Sequence, residues 1–224
     1  MAPFLIVVAA GAGNRLGRPE PKALVELLGR PLLSWTLEAF SPVSFAGTVI
    51  AAPAGRLDEI RAAAGAGAKV VEGGATRAAS VRRAFQACGA GGDSVICIHD
   101  AARPFVTPAE IEAVLRAAQE CGAAIGATPI ADTIKTVEGL RVAATVDRSK
   151  AWAAGTPQAF RAELLARALA SGVEATDEAS LCEALGIPVA VVALSRLAFK
   201  ITAPEDLEMA EAILVRRQTR ARER

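Results

Sequence analysis

The chain has 224 residues, enough for one large α/β domain with a substantial core, and 52% hydrophobic against 22% charged residues excludes a disordered chain. A net charge of +1 excludes a general nucleic-acid binder, so any cation cluster must be local. The apolar start, Pro3 to Val8, has no charged flank and only a strand's length, so neither a signal peptide nor a membrane span is expected there.

That apolar run suits one buried strand. It leads into Val8-Ala9-Ala10-Gly11-Ala12-Gly13-Asn14-Arg15-Leu16-Gly17, closed by Pro21-Lys22, and then into apolar residues at helical spacing from Leu32 to Phe40. A glycine-rich loop with two cations thus joins the first strand to the first helix. Glycines let backbone N–H groups approach a ligand, and such loops cradle phosphate. An ordinary strand-to-helix turn is the alternative on the glycines alone. Two known phosphate loops are excluded. The dinucleotide fingerprint G-x-G-x-x-G fails because Leu16 holds its third glycine position, and the second strand, Thr48–Ala52, runs into Pro53 with no acid at its end. The P-loop fails because Lys22 stands between Pro21 and Ala23. What remains resembles the signature loop of nucleotidyltransferases.

Further strands are expected at Lys69–Glu72, Ser94–Ile98 and Ala123–Thr128, and helices at Leu32–Phe40, Leu57–Ala64, Arg77–Cys88 and Pro108–Cys121. Apolar strands alternating with helices mean a parallel sheet covered on both faces, with ligands beyond the carboxyl ends of the strands. The loops to search are therefore 9–22, 53–56, 73–76 and 99–107. Gly73-Gly74-Ala75-Thr76-Arg77 enters a helix carrying Ser80, either a ligand cradle or a plain turn. In His99-Asp100-Ala101-Ala102-Arg103-Pro104, Asp100 suits Mg²⁺ on a triphosphate and Arg103 offers a phosphate fork. His99, the one histidine, is expected as a satisfied core or hinge residue, with a catalytic base as the alternative. Thr107-Pro108-Ala109-Glu110 is a capping box.

Asp132 to Val137, Glu138-Gly139 and Leu140 to Val146 read as a β-hairpin with Leu140, Val142, Ala144 and Val146 on one face, packed on the body or on a second subunit. After it come Arg148, Trp152 and Thr156-Pro157-Gln158-Ala159-Phe160, a helix over 161–171, a helix over Ala179–Leu185 opened by Thr176-Asp177-Glu178, and a strand over Pro188–Leu194. A second capping box, Thr202-Ala203-Pro204-Glu205, opens a last helix to about Gln218, and the Arg-rich end, Arg216 to Arg224, is expected to be a solvated, fraying tail. Cys88, Cys97, Cys121 and Cys182 form no CxxC pair and sit among apolar neighbours, so buried free thiols in a reducing cytoplasm are expected. No linker divides the chain, so 1–224 is expected to be a single domain.

AAGAGNRLG…PK at 9–22, GGATRAASV at 73–81, HDAARP at 99–104, DTIK at 132–135, the block 148–160, TDEAS at 176–180 and KITAPEDL at 200–207 together resemble the 2-C-methyl-D-erythritol 4-phosphate cytidylyltransferases of the non-mevalonate isoprenoid pathway. HDAARP, and DTIK with TPQ, are specific to that family; the first loop is not. The resemblance implies a Rossmann-like three-layer α/β fold with a mostly parallel central sheet and a protruding β-arm, 131–150, through which a homodimer forms. It implies a cytidine site at Ala9, Ala10, Gly11, Gly74 and Ser80. Gly13, Arg15 and Lys22 would hold the triphosphate, with Arg15 and Lys22 as the catalytic cations and Mg²⁺ as cofactor on Asp100. Asp100, Arg103, Thr176, Lys200 and Thr202 would hold the acceptor, completed by Thr133 and Arg148 from the partner's arm. The chain has Ala75 and Ala79 where relatives often carry an acid, and Gly155 where Gln is common, so a nucleotide contact from residue 75 would be backbone-only. The implied reaction is CMP transfer from CTP to methylerythritol phosphate. The alternatives are a cytidylyltransferase for another polyol phosphate, such as ribitol 5-phosphate, and a non-catalytic nucleotide-binding regulator.

Overall fold

The computed structural model describes residues 2–11, 13–173 and 175–222; Ala12 of the first loop and Glu223 and Arg224 of the tail lie outside the described residues. β1 (Phe4–Val8) leads to a small ribbon of β2 (Glu26–Leu27) and β3 (Arg30–Pro31). Then α1 (Leu32–Phe40), β4 (Gly47–Ala52), α2 (Leu57–Ala64), β5 (Ala68–Glu72), α3 (Arg77–Cys88), β6 (Val95–Asp100), α4 (Pro108–Cys121) and β7 (Ala123–Pro129) follow one another. A hairpin of β8 (Lys135–Glu138) and β9 (Arg141–Thr145) precedes β10 (Trp152–Arg161), α5 (Ala162–Ala170), α6 (Glu178–Ala184), β11 (Ala190–Ala193) and α7 (Pro204–Arg222).

The central sheet has seven strands in the order β11-β7-β10-β6-β1-β4-β5. Successive side chains of a strand point to opposite faces. Leu5 and Val7 of β1 therefore join one core cluster with Leu33 and Ile111 from α1 and α4, while Ile6 joins the other with Val81 and Leu165 from α3 and α5. Helices cover both faces, and the alternating pattern of strand and helix in the first half stands as expected.

All pairings within the central sheet are parallel except those of β10, which runs antiparallel between β6 and β7. The sequence reading treats residues 148–160 as a block without a strand, and Pro157 argues against a central strand because it cannot donate to the ladder. The register against β7 shifts between Ala154 and Gln158, so Gly155-Thr156-Pro157 sits in an irregularity where a missing N–H forfeits no ladder bond. The two flanks of Pro157 pair normally.

Other corrections are local. The capping box at Thr107 and Glu110 is present, but α7 is not capped by Glu205. The Asp206 carboxylate accepts from Thr202 N at 2.7 Å and Ala203 N at 2.9 Å, because Asp206 stands three residues after Ala203, where a side chain reaches back to the entering N–H groups. The terminal helix runs on to Arg222, and Arg217 lies with its guanidinium carbon 5.2 Å from the centre of the Phe105 ring, so this part of the tail is not simply solvated. All four cysteines are free; Cys97 and Cys182 are buried and Cys88 is half-buried, but Cys121 is exposed at the last residue of α4. Apolar sequence neighbours do not carry a helix end into the core.

Candidate active site

Strand order runs outward from β1 to β4 and β5, then returns to β6 on the other side of β1. Val8 at the end of β1 is in register with Ala51 on one side and Asp100 on the other. The loops leaving β1 and β6 part at this reversal, and ligands of open α/β sheets bind in such a crevice. A cleft of about 530 Å³ opens there, walled by the loops after β1 and β6, the start of α3, and Lys200.

The first loop is held by its own backbone. Leu16 N donates to Gly13 O at 2.9 Å, Lys22 N donates to Gly11 O at 3.3 Å, and the Leu16 side chain is buried with Leu27, Phe105 and Ile201. Gly13 has φ +74°, and a Cβ on it would lie 3.0 Å from the Lys22 Cβ and 3.1 Å from its nitrogen. The glycine therefore lets the two ends of the loop close over one another. Lys22 ends up half-buried. Burial, then repulsion from Lys200 and Arg15, lowers its pKa from the ordinary value to about 8. Arg15 remains exposed at the cleft.

In the second loop a Cβ on Gly73 would sit 2.6 Å from the Ala10 Cβ, and one on Gly74 would sit 2.4 Å from the Ala79 Cβ. Larger residues would push the β5 end off the first loop. Ser80 lines the cleft but is almost fully buried. Its Oγ accepts from Gly74 N at 3.1 Å and donates to Thr76 O at 2.9 Å, so it shapes the loop from behind. Thr76 caps α3 by accepting from Ala79 N at 3.1 Å.

Asp100 is the carboxylate of the cleft. Its Oδ2 accepts from Lys200 Nζ at 2.7 Å, its Oδ1 from Arg77 Nε at 3.4 Å, and Arg103 Nε stands 3.8 Å from Oδ2. Burial opposes ionisation here, but Lys200, Arg77 and Arg103 together hold the carboxyl well below the usual carboxylate range. Lys200 reaches it because Ile201, buried beside Phe105, donates its N–H to Ala102 O at 2.9 Å and docks the segment onto the β6 loop. His99 is a core histidine, as expected. Its Nε2 donates to Arg103 O at 3.0 Å, its ring packs on Phe40 with centroids 4.6 Å apart, and burial pushes its pKa down to about 4.

The cleft brings together the expected nucleotide residues Ala9, Ala10, Gly11, Gly13, Arg15, Lys22, Gly74 and Ser80, and on the acceptor side Asp100 and Lys200. The rest of the expected acceptor set does not line it. Arg103 Nη1 donates to Ala198 O at 2.9 Å, Thr202 Oγ1 donates to Lys200 O at 3.1 Å, and Thr176 and Thr133 are exposed. Arg148 is exposed too, its Nη1 donating to Ala131 O at 2.6 Å across the base of the hairpin. The sequence reading missed Arg77, which lines the cleft, and Glu178, whose two oxygens accept from Arg77 Nη1 at 2.9 and 2.6 Å. Both lie in motifs already singled out, GGATRAASV and TDEAS, but nothing local pairs residues so far apart.

The chain matches the family model IspD: 2-C-methyl-D-erythritol 4-phosphate cytidylyltransferase over residues 4–216. It is 43% identical over 213 residues to the 2-C-methyl-D-erythritol 4-phosphate cytidylyltransferase of Thermus thermophilus, covering 93% of this chain and 95% of the relative. With the enzyme of the same name from Deinococcus radiodurans it shares 45% over 212 residues, 93% of this chain and 88% of the relative. The crystal structure of the Thermus thermophilus enzyme superposes with a TM-score of 0.80 at 41% identity, covering 95% of this chain and 98% of the other.

Proposed function

The chain belongs to the 2-C-methyl-D-erythritol 4-phosphate cytidylyltransferase family, and from that premise we propose how its own residues carry the reaction. It is a nucleotidyltransferase that transfers CMP from CTP to 2-C-methyl-D-erythritol 4-phosphate, giving 4-diphosphocytidyl-2-C-methyl-D-erythritol and pyrophosphate. A phosphate oxygen of the acceptor attacks the α-phosphorus of CTP in line. That oxygen is already ionised near neutral pH, so no side chain need serve as nucleophile. The obstacle is electrostatic, because two anions must meet and charge builds on the α-phosphoryl and leaving oxygens. The observation that carries the reading is the convergence of Arg15, Lys22 and Lys200 on one cleft in which Asp100 is the only carboxylate among the described residues. Arg15 and Lys22 bind the triphosphate and stabilise the developing charge. Gly11, Gly13 and Gly74 offer close backbone approach, and the small walls at Ala9 and Ala10 suit a pyrimidine. Asp100 and Lys200 face the acceptor from the cleft; Arg103, Thr176 and Thr202 are assigned to it by the family pattern, and Thr133 and Arg148 of a partner's arm complete its site.

Among the described residues no three His, Cys, Asp or Glu side chains come together to hold a metal ion. Asp100 keeps lone pairs beyond those given to Lys200 and Arg77, and Mg²⁺ binds through one or two carboxylates plus substrate phosphates. Asp100 therefore fits as its protein ligand, with the triphosphate supplying the remaining donors. Bound there, the ion would neutralise phosphate charge. No helix among the described residues is long and apolar enough to cross a membrane; four free thiols agree with a cytoplasmic enzyme.

The direct test is pyrophosphate release with each of four nucleoside triphosphates, Mg²⁺, and either methylerythritol phosphate or ribitol 5-phosphate. CTP with methylerythritol phosphate is expected to be the fastest pair; a preference for ribitol phosphate, or for UTP or GTP, overturns the substrate reading. A second expectation concerns pH. Bound triphosphate returns the Lys22 pKa toward its ordinary value, so binding takes up a proton once the free enzyme has lost it. CTP affinity should hold steady below pH 8 and weaken by up to about tenfold per pH unit above it, until the pKa of the bound state is reached. Calorimetry between pH 6.5 and 9.5 reads this directly. A flat profile, or the same slope in Lys22→Arg, removes Lys22 from the phosphate site.

A further inference from the structure

Glu178 is 1% exposed, at the first turn of α6, and does not line the cleft. Burying a carboxylate is costly, and a buried ion pair is weak grounds for stability because apolar side chains often do as well. What Glu178 does have is one partner that reaches the site. Both its oxygens accept from Nη1 of Arg77, leaving Nε of the same guanidinium to meet Asp100 Oδ1 at 3.4 Å. Lys200 holds the other Asp100 oxygen at 2.7 Å. The Asp100 carboxylate is thus gripped from both sides, tightly by Lys200 and loosely by an arginine that Glu178 keeps turned away. The α6 start is itself pinned, since Gln158 Nε2 donates to Asp177 Oδ2 at 2.9 Å from the strand beside β6. Without the Glu178 charge, Asp100 is the carboxylate still in ion-pair contact with Arg77 among the described residues, with Asp177 acting on it only through space.

We propose that Glu178 is a positioning residue for the transfer reaction, acting through Arg77 to set the Asp100 carboxylate on Lys200 and leave the acceptor side of the cleft correctly charged. This rests on the placement of Asp100 and Lys200 on the acceptor side given above. With Glu178 silent, Arg77 draws Asp100 toward α3 and Lys200 loses its partner. The nucleotide loop at residues 9–22 makes no hydrogen bond to this network among the described residues, and Lys22 feels Lys200 and Asp100 only through space.

Glu178→Gln keeps the side-chain volume and removes the charge. In the full-length protein with Mg²⁺ and saturating CTP, KM for methylerythritol phosphate is expected to rise about tenfold, the effect of spoiling one charge-assisted contact. CTP affinity by calorimetry should stay within about twofold of wild type, since the triphosphate cations are untouched. Glu178→Asp, with the charge restored on a shorter arm, should recover part of the loss. If Glu178→Gln does not fold, Arg77→Lys, which keeps the cation and loses the fork, is read the same way. An unchanged acceptor KM in a folded variant that merely melts lower makes the pair structural and overturns the proposal. Parallel losses in acceptor KM and CTP affinity overturn it too. A rise confined to the CTP constants upholds the clamp but moves Asp100 to the nucleotide, which overturns the acceptor-side reading separately.

Discussion

Lys22→Ala is expected to lower kcat by about 10²-fold or more, with the melting temperature near that of wild type. Removing one donor to developing charge typically adds about 3–4 kcal/mol to a barrier, which is two to three decades in rate. Lys22 combines both requirements for such an effect. It is half-buried, so its charge is poorly screened, and it has no carboxylate within ion-pairing distance among the described residues. The charges that act on it most strongly are cations, Lys200 and Arg15, ahead of the opposing Asp100 and Asp206, so the cluster repels itself until an anion arrives. The substitution leaves the loop backbone bonds of Gly11 and Gly13 in place, so the effect belongs to chemistry rather than folding. Arg15→Met should act in the same direction. Near wild-type kcat in either variant, with a normal melt, removes that residue from the transition state.

The second large effect concerns the hairpin. Every residue of β8 and β9 is exposed, with Val137 at 62%, Val142 at 64% and Leu140 at the tip at 104%. Val137 opposes Val142 across the pair, so both stand on one face; Val146, expected to extend that face, is instead half-buried where its N–H meets Ile134 O at 3.0 Å. A two-stranded hairpin is marginal in water, and exposed apolar faces mark interfaces. We propose that this arm is the dimer contact and that it carries Thr133 and Arg148 into a partner's acceptor site. Val137→Asp with Val142→Asp should then give monomers by light scattering and lose turnover together. Mixing inactive Lys22→Ala subunits with inactive Arg148→Ala subunits should restore about a quarter of wild-type activity, because half the dimers are mixed and one of their two sites is whole. A mixture that stays dead after confirmed subunit exchange, or a fully active monomer, ends the shared-site reading.

Much of this protein was determined locally and could be read from the chain. Phe4–Val8, Leu32–Phe40, Leu57–Ala64, Arg77–Cys88 and Pro108–Cys121 form where the apolar period and the caps place them. The loops after β1, β5 and β6 wall the cleft because a doubly covered parallel sheet leaves ligands only its carboxyl edge. The motifs added the family, since the acceptor-side residues are spaced along the chain in its pattern.

Tertiary structure alone decided three things. β10 is a central antiparallel strand because its partners, β6 and β7, come from elsewhere in the chain and a register shift accommodates Pro157. Arg77, Asp100, Glu178 and Lys200 form one charge network because folding carries α6 and the segment before α7 to the end of β6. The lowered pKa of Lys22 depends on burial and on Lys200, neither of which is a property of its neighbours in sequence. Periodicity and caps are written within a few turns of chain, whereas ion pairs, strand order and solvent exclusion depend on distances that exist only after the sheet has closed.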